Sequence, residues 1–156
     1  MDVGLIALFI ATLTLMASFG GGLFDVLVNE ENLVRGFPDS ITHVRNYWKY
    51  RNPGDFYKVL SPVFGLSAIA AVGWYWSDPV GRQWLVLGAI GCFALTQFIT
   101  VVYFFPGNRI LRESPVDEAV AMMQRSRKTR LYWDYFRQFL TLTGSILLLL
   151  AIARQG

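Results

Sequence analysis

The fold class that this sequence predicts is all-α: an integral membrane four-helix bundle, up-down-up-down, filling residues 1–156 as one transmembrane domain. Three observations predict it. Hydrophobic residues make up 54% of the chain and charged residues only 16%, whereas soluble domains carry about 25% charged residues. The apolar residues gather into four runs, each near the ~20 residues that a helix needs to cross a ~30 Å hydrocarbon core. The cations, finally, collect beside alternate ends of those runs.

The first run, residues 3–24, holds no charge. It is too long for a signal-peptide core and lacks a basic leader, so it is read as a retained span. Residues 56–76 form the second run, with Lys58 at its edge, and residues 84–105 the third, again uncharged. The fourth, residues 132–152, carries Asp134 and Arg137 in its first two turns and is apolar beyond them. In segments this apolar, length rather than periodicity decides the assignment.

Four spans put both termini and the short 77–83 turn on one side, and loops 25–55 and 106–131 on the other. Arg35, Arg45, Lys49, Arg51 and Lys58 lie in or beside the first loop, and Arg109, Arg112, Arg125, Arg127, Lys128 and Arg130 in the second. The other side has Arg82 and Arg154. Positive-inside asymmetry therefore places the loops in the cytoplasm and the termini outside. Trp74, Trp76 and Trp84 near one boundary, and Tyr47, Trp48, Tyr132 and Trp133 near the other, have the placement of interfacial anchors. The basic second loop flanks a span, so anionic lipid explains it better than nucleic acid, which is not expected as a partner.

Helices in lipid gain little from hydrophobicity against one another, so small and polar residues mark their contact faces. Thr14, Ser18, Gly21, Gly22 and Asp25 stripe span 1, and Ser61, Gly65, Ala68 and Ala71 stripe span 2. The Ser61–Gly65 spacing predicts a close backbone approach. In span 3, Gln97 aligns with Val101, Phe104 and Asn108 and is expected to point inward. Span 4 runs Arg130, Asp134, Arg137, Thr141, Gly144, from charged to small. In the loops, Ile41, Val44, Tyr47 and Trp48 suit a short helix on the membrane surface within 38–50. Asn52-Pro53-Gly54-Asp55 opens span 2, and Ser114-Pro115 opens a second amphipathic helix over 116–126.

One cysteine, Cys92, and one histidine, His43, exclude an internal disulfide and leave no basis for a Cys/His zinc site or a bis-histidine haem. Cys92 reads as inert packing and His43 as a loop surface residue. The unusual polar residues instead share one depth. Asp25 ends span 1, Lys58 begins span 2, Asn108 and Arg109 end span 3, and Trp133, Asp134 and Arg137 begin span 4. This cytoplasmic mouth is either a belt of paired charges that fixes helix register or the polar rim of an apolar, aromatic-lined pocket for a flat hydrophobic molecule.

Four motifs in this order resemble the anthrone oxygenase-like family of small four-helix membrane proteins, whose bacterial members are largely of unknown function. They are Gly20-Gly21-Gly22-Leu23-Phe24, Asn52-Pro53, Pro106-Gly107-Asn108-Arg109 and Trp133-Asp134-Tyr135-Phe136-Arg137. Together they extend over nearly the whole chain. Where the family commonly has Trp-Asn-His, this chain has Trp133, Asp134 and Tyr135. A tyrosine, with an ordinary pKa of ~10, is a poor base at neutral pH. The resemblance implies a bacterial cytoplasmic-membrane protein and a monooxygenase that uses oxygen without metal, flavin or other cofactor. Asp134 or His43 would be the base, Arg137 and Arg109 the enolate stabilisers, and Asn108 a donor. Asp25, Gln97, Phe104, Trp133 and Tyr135 would line the substrate. The partners would be membrane lipid and a hydrophobic aromatic or quinol-like small molecule, with a homo-oligomer or a larger membrane complex also in view. The residues leave a second reading open: a non-enzymatic accessory subunit or a lipid or quinone binder.

Overall fold

A computed structural model describes residues 2–50 and 52–154; Arg51, counted above among the loop cations, lies outside the described residues. Every element among the described residues is helical. In chain order they are α1 (Val3–Phe24), a π-helical turn (Asp25–Asn29), α2 (Glu30–Arg35), α3 (Asp39–Tyr47) and α4 (Pro53–Trp74). Then come α5 (Arg82–Ile99), a second π turn (Thr100–Phe104), α6 (Phe105–Glu113) and α7 (Val116–Ala153). Four continuous helices are long and apolar enough to cross a membrane: Val3–Arg35, Pro53–Trp74, Arg82–Glu113 and Val116–Ala153.

Local chemistry explains where they start. Asp2 caps α1 by accepting from the Gly4 N–H at 2.9 Å. Asn52 precedes α4, whose Asp55 accepts from the Asn52 N–H at 2.9 Å, and Pro53 supplies a first-turn φ without an unsatisfied donor. Gly81, at φ 75°, turns the chain into α5. There Asp78 accepts from the Arg82 backbone at 3.1 Å and from its guanidinium at 2.9 Å. That guanidinium holds the Asp78 carboxyl down at about 2 and packs over the Tyr75 ring.

The helices run further than the sequence predicts. Span 1 does not end at Phe24, because the π turn absorbs one residue and carries the chain into α2. Pro106 does not end span 3 either. Just upstream the Phe105 N–H bonds the Thr100 carbonyl, five residues back, so the backbone is already widened where the proline lacks its donor. The 116–126 helix is not separate but is the first third of α7. At 38 residues α7 is roughly 57 Å long against a ~30 Å core.

The protruding ends form a second core. Leu33, Ile41, Leu111, Ala119 and Met123 are buried together, with Phe37, Val44 and Trp48 packed around them. Ile41, Val44 and Trp48 of the apolar side of α3 thus pack against protein, while Tyr47 is exposed. Arg45 fastens α3 there, donating to the Leu111 and Ser114 carbonyls at 2.8 and 2.5 Å. In water each fully buried Ile, Leu or Met is worth about 1.5–3 kcal/mol; within a bilayer that drive is absent and close packing replaces it.

Close packing inside the bundle comes from glycines other than the one expected. A Cβ on Gly144 would stand 2.9 Å from Leu15 and 3.5 Å from the Ala89 carbonyl and Cys92, so α7, α1 and α5 meet there. Gly4 lies under Trp74 and Tyr75, and Gly21 beside Phe56 and Tyr57, which ties both ends of α1 to α4. Gly65 faces open space. The Ser61–Gly65 seam is therefore not a backbone contact, and Ser61 instead accepts from Gln97 across to α5 at 3.3 Å. Gln97 does point inward, but Val101 faces out because the π turn rotates the residues after Ile99.

Candidate functional site

The buried face of α7 follows the spacing seen in the sequence: Arg130, Asp134, Gln138, Thr141, Gly144, Ser145 and Leu148. Its deeper hydroxyls satisfy themselves, with Thr141 donating to the Arg137 carbonyl and Ser145 to that of Thr141. The charged end cannot do so and recruits other helices. Arg137 donates to Asp134 at 3.1 Å. Arg130 donates through Nε to Glu30 at 3.1 Å and through Nη2 to the same oxygen. Its Nη1 reaches Asn108 Oδ1 at 3.5 Å.

Phe104 lies between the two arginines. The Arg137 guanidinium is 4.4 Å from the ring centroid and that of Arg130 5.3 Å, and the ring itself is buried. Cation–π contacts of this kind reach about 2 kcal/mol when water is excluded. The second π turn ends at Phe104 and the first begins at Asp25, so both flank this centre. Asp25 accepts from Asn29 at 2.6 Å and, with Tyr57 and Arg130, is within electrostatic range of Arg137. Glu30, Asp25 and Asp134 therefore balance two guanidiniums across two continuous helices, Val3–Arg35 and Val116–Ala153. Two buried atoms have no partner here, Arg137 Nε and Gln138 Oε1.

Not every expected residue joins this centre. Asp25, Phe104, Asp134 and Arg137 converge, with Asn108 at the edge and Trp133 in an adjoining aromatic group with Tyr103 and Phe136. Arg109 is exposed and paired with Glu113 at 3.0 Å. His43 is exposed on α3, Tyr135 faces outward, and Gln97 is held at Ser61. His43, expected as a base, and Arg109, expected as an enolate stabiliser, thus stand apart from this centre. An α-helix places residue 135 about 100° from residue 134, so Tyr135 cannot share the buried stripe.

The space in which an apolar pocket was expected is filled. Ile99, Phe104 and Leu140 pack there with Cys92, Tyr103, Trp133 and Phe136. Surface hollows lie elsewhere, one along Glu118, Ala121, Met122 and Arg125 and one along Val101, Phe105, Pro106 and Arg109. Among the described residues no three His, Cys, Asp or Glu side chains are grouped to hold a metal ion.

Four residues at the centre were absent from the sequence-based site: Glu30, Tyr57, Arg130 and Gln138. Two were within reach, because Arg130 and Gln138 sit four residues before and after Asp134, one turn each way on the same face. Glu30 enters only because the helix continues past Phe24, and Tyr57 only through the packing of α4 on α1. Comparison of the chain with protein-family models, curated proteins and solved structures finds no match.

Proposed function

We propose that the chain is a multi-pass bacterial cytoplasmic-membrane protein whose buried centre oxygenates a hydrophobic aromatic or quinol-like compound without a cofactor. The bundle runs up-down-up-down, with both termini outside. The pairing of Gly4 with Trp74 and of Gly21 with Phe56 supports opposite directions for α1 and α4. The second core, capped by α3, stands on the cytoplasmic side at the membrane surface. Lipid and the hydrophobic compound are its partners.

One observation carries the enzymatic reading: a largely buried guanidinium, that of Arg137, stands beside a carboxylate with its Nε unpartnered. A ring ketone with an acidic CH2 between aromatic rings would lose a proton to Asp134, and Arg137 would hold the enolate oxygen. The enolate carbon then transfers two electrons to dioxygen and forms a C–O bond, and the distal oxygen takes the proton back from Asp134 to give the hydroperoxide. Loss of the remaining proton on that carbon breaks the O–O bond and releases hydroxide. One oxygen stays as the new ketone and the other leaves as water.

The second reading, a non-enzymatic accessory subunit or lipid or quinone binder, is favoured by a different observation: the charges pair among themselves and apolar side chains fill the interior. Oxygen uptake by the purified protein with an anthrone separates the two. The enzymatic reading expects one dioxygen per anthrone, with Arg137→Ala and Asp134→Asn each slowing uptake on the order of 10²-fold or more. Uptake that survives both substitutions overturns the site, and absence of uptake with any acidic ring ketone favours the scaffold.

A further inference from the structure

Span 3 ends along a surface hollow that runs from apolar to basic. Val101, Phe105 and Arg109 line it at spacings of four, with Pro106 and Ile110 beside them. The π turn over Thr100–Phe104 puts Val101 on this outer face, where it and Phe105 are both more than half exposed. The continuous helix Arg82–Glu113 is also the least buried of the four apolar helices, so most of its side is left to lipid.

Arg130 fixes the depth of the hollow. Asn108 accepts from Arg130 at 3.5 Å, and Arg130 stands two residues before the fourth apolar run begins at residue 132. Arg109 is therefore level with the bilayer surface, and Phe105, four residues back, lies about 6 Å deeper. Charge is unbalanced at the surface end. Arg109 and Arg112 share one carboxylate, Glu113, at 3.0 and 2.9 Å. Arg109 uses only its Nε for this, and neither of its terminal nitrogens has a partner among the described residues. An extended peptide in the hollow would strand backbone polar groups in hydrocarbon beside Val101 and Phe105. A zwitterionic lipid would bring its own cation against the two arginines. We propose that one anionic phospholipid occupies this hollow, with an acyl chain along Val101 and Phe105 and its phosphate on Arg109. The inference needs only the place of the helices in a bilayer and is independent of any chemistry at Asp134 and Arg137.

The test is native mass spectrometry of the full chain released from detergent micelles that hold equal amounts of dioleoyl phosphatidylglycerol and dioleoyl phosphatidylcholine. The expected result is one retained phosphatidylglycerol, favoured over phosphatidylcholine by about tenfold. Arg109→Gln should cut that preference about fivefold, and Arg109→Gln with Arg112→Gln should abolish it. Lys128→Gln, at an exposed position near the same level but outside the hollow, controls for general surface charge and should leave it intact. Val101→Trp fills the hollow without altering charge and should displace the lipid. Equal retention of the two lipids, or of neither, overturns the proposal using the wild-type protein alone. So does a loss with Lys128→Gln as large as with Arg109→Gln, which would assign the preference to diffuse charge. Full competition by glycerol 3-phosphate also overturns it, because the site would then read phosphate without a chain.

Discussion

Replacing Arg130 by methionine should test the buried charge balance most directly. The side chain is nearly inaccessible, and its Nε and Nη2 both donate to one Glu30 oxygen. Methionine keeps much of the length and the contact with Phe104 but leaves the Glu30 carboxylate, itself only 14% exposed, without its cation. Removing one partner of a buried pair costs about 3–5 kcal/mol, because the survivor stays desolvated and charged. For a chain of this size that corresponds to a fall in melting temperature of roughly 6–20 °C. Glu30→Leu alone should cost a similar amount by stranding Arg130. The double variant should recover most of the loss, since hydrophobic replacement of both partners is often neutral. The assay is thermal unfolding in detergent, followed by tryptophan fluorescence at pH 7.5. An Arg130→Met melt within about a degree of wild type would refute the reasoning. A double variant no better than the worse single would do so too.

Two further outcomes follow from the same packing. Gly144→Ala should destabilise by about 1–3 kcal/mol, because its Cβ meets Leu15 and the α5 backbone, whereas Gly65→Ala should be neutral or stabilising by up to ~1 kcal/mol. Equal effects in the same melts would mean that the helices do not cross at Gly144. At the opposite end, Arg82 depresses the Asp78 carboxyl to about 2, so its stabilising effect is complete above the ordinary value of ~3.9 and is lost as pH falls towards 2. Asp78→Asn should lower the melting temperature at pH 7 and flatten its decline between about pH 4 and pH 2; an unchanged decline would show that other carboxylates cause it.

The four apolar helices and the buried stripe of α7 follow from sequence alone. Hydrocarbon thickness sets the length an apolar run must reach, and a helix with Arg130, Asp134, Gly144 and Leu148 on one face has one way to bury it. Asp25, Phe104, Asp134 and Arg137 were legible for the same reason, since topology forces span ends to a common depth. Tertiary structure alone decided the rest. Which glycine makes a contact depends on the side chain opposite: Gly144 faces Leu15 and Gly65 faces nothing. The two π turns carry no sequence signature, yet they continue helices past Phe24 and Pro106 and bring Glu30 to Arg130. Whether a polar residue is paired is likewise a property of its neighbours. His43 and Arg109 carry suitable chemistry but stand apart from the centre, while Gln138, ordinary in sequence, is the buried amide left without a partner.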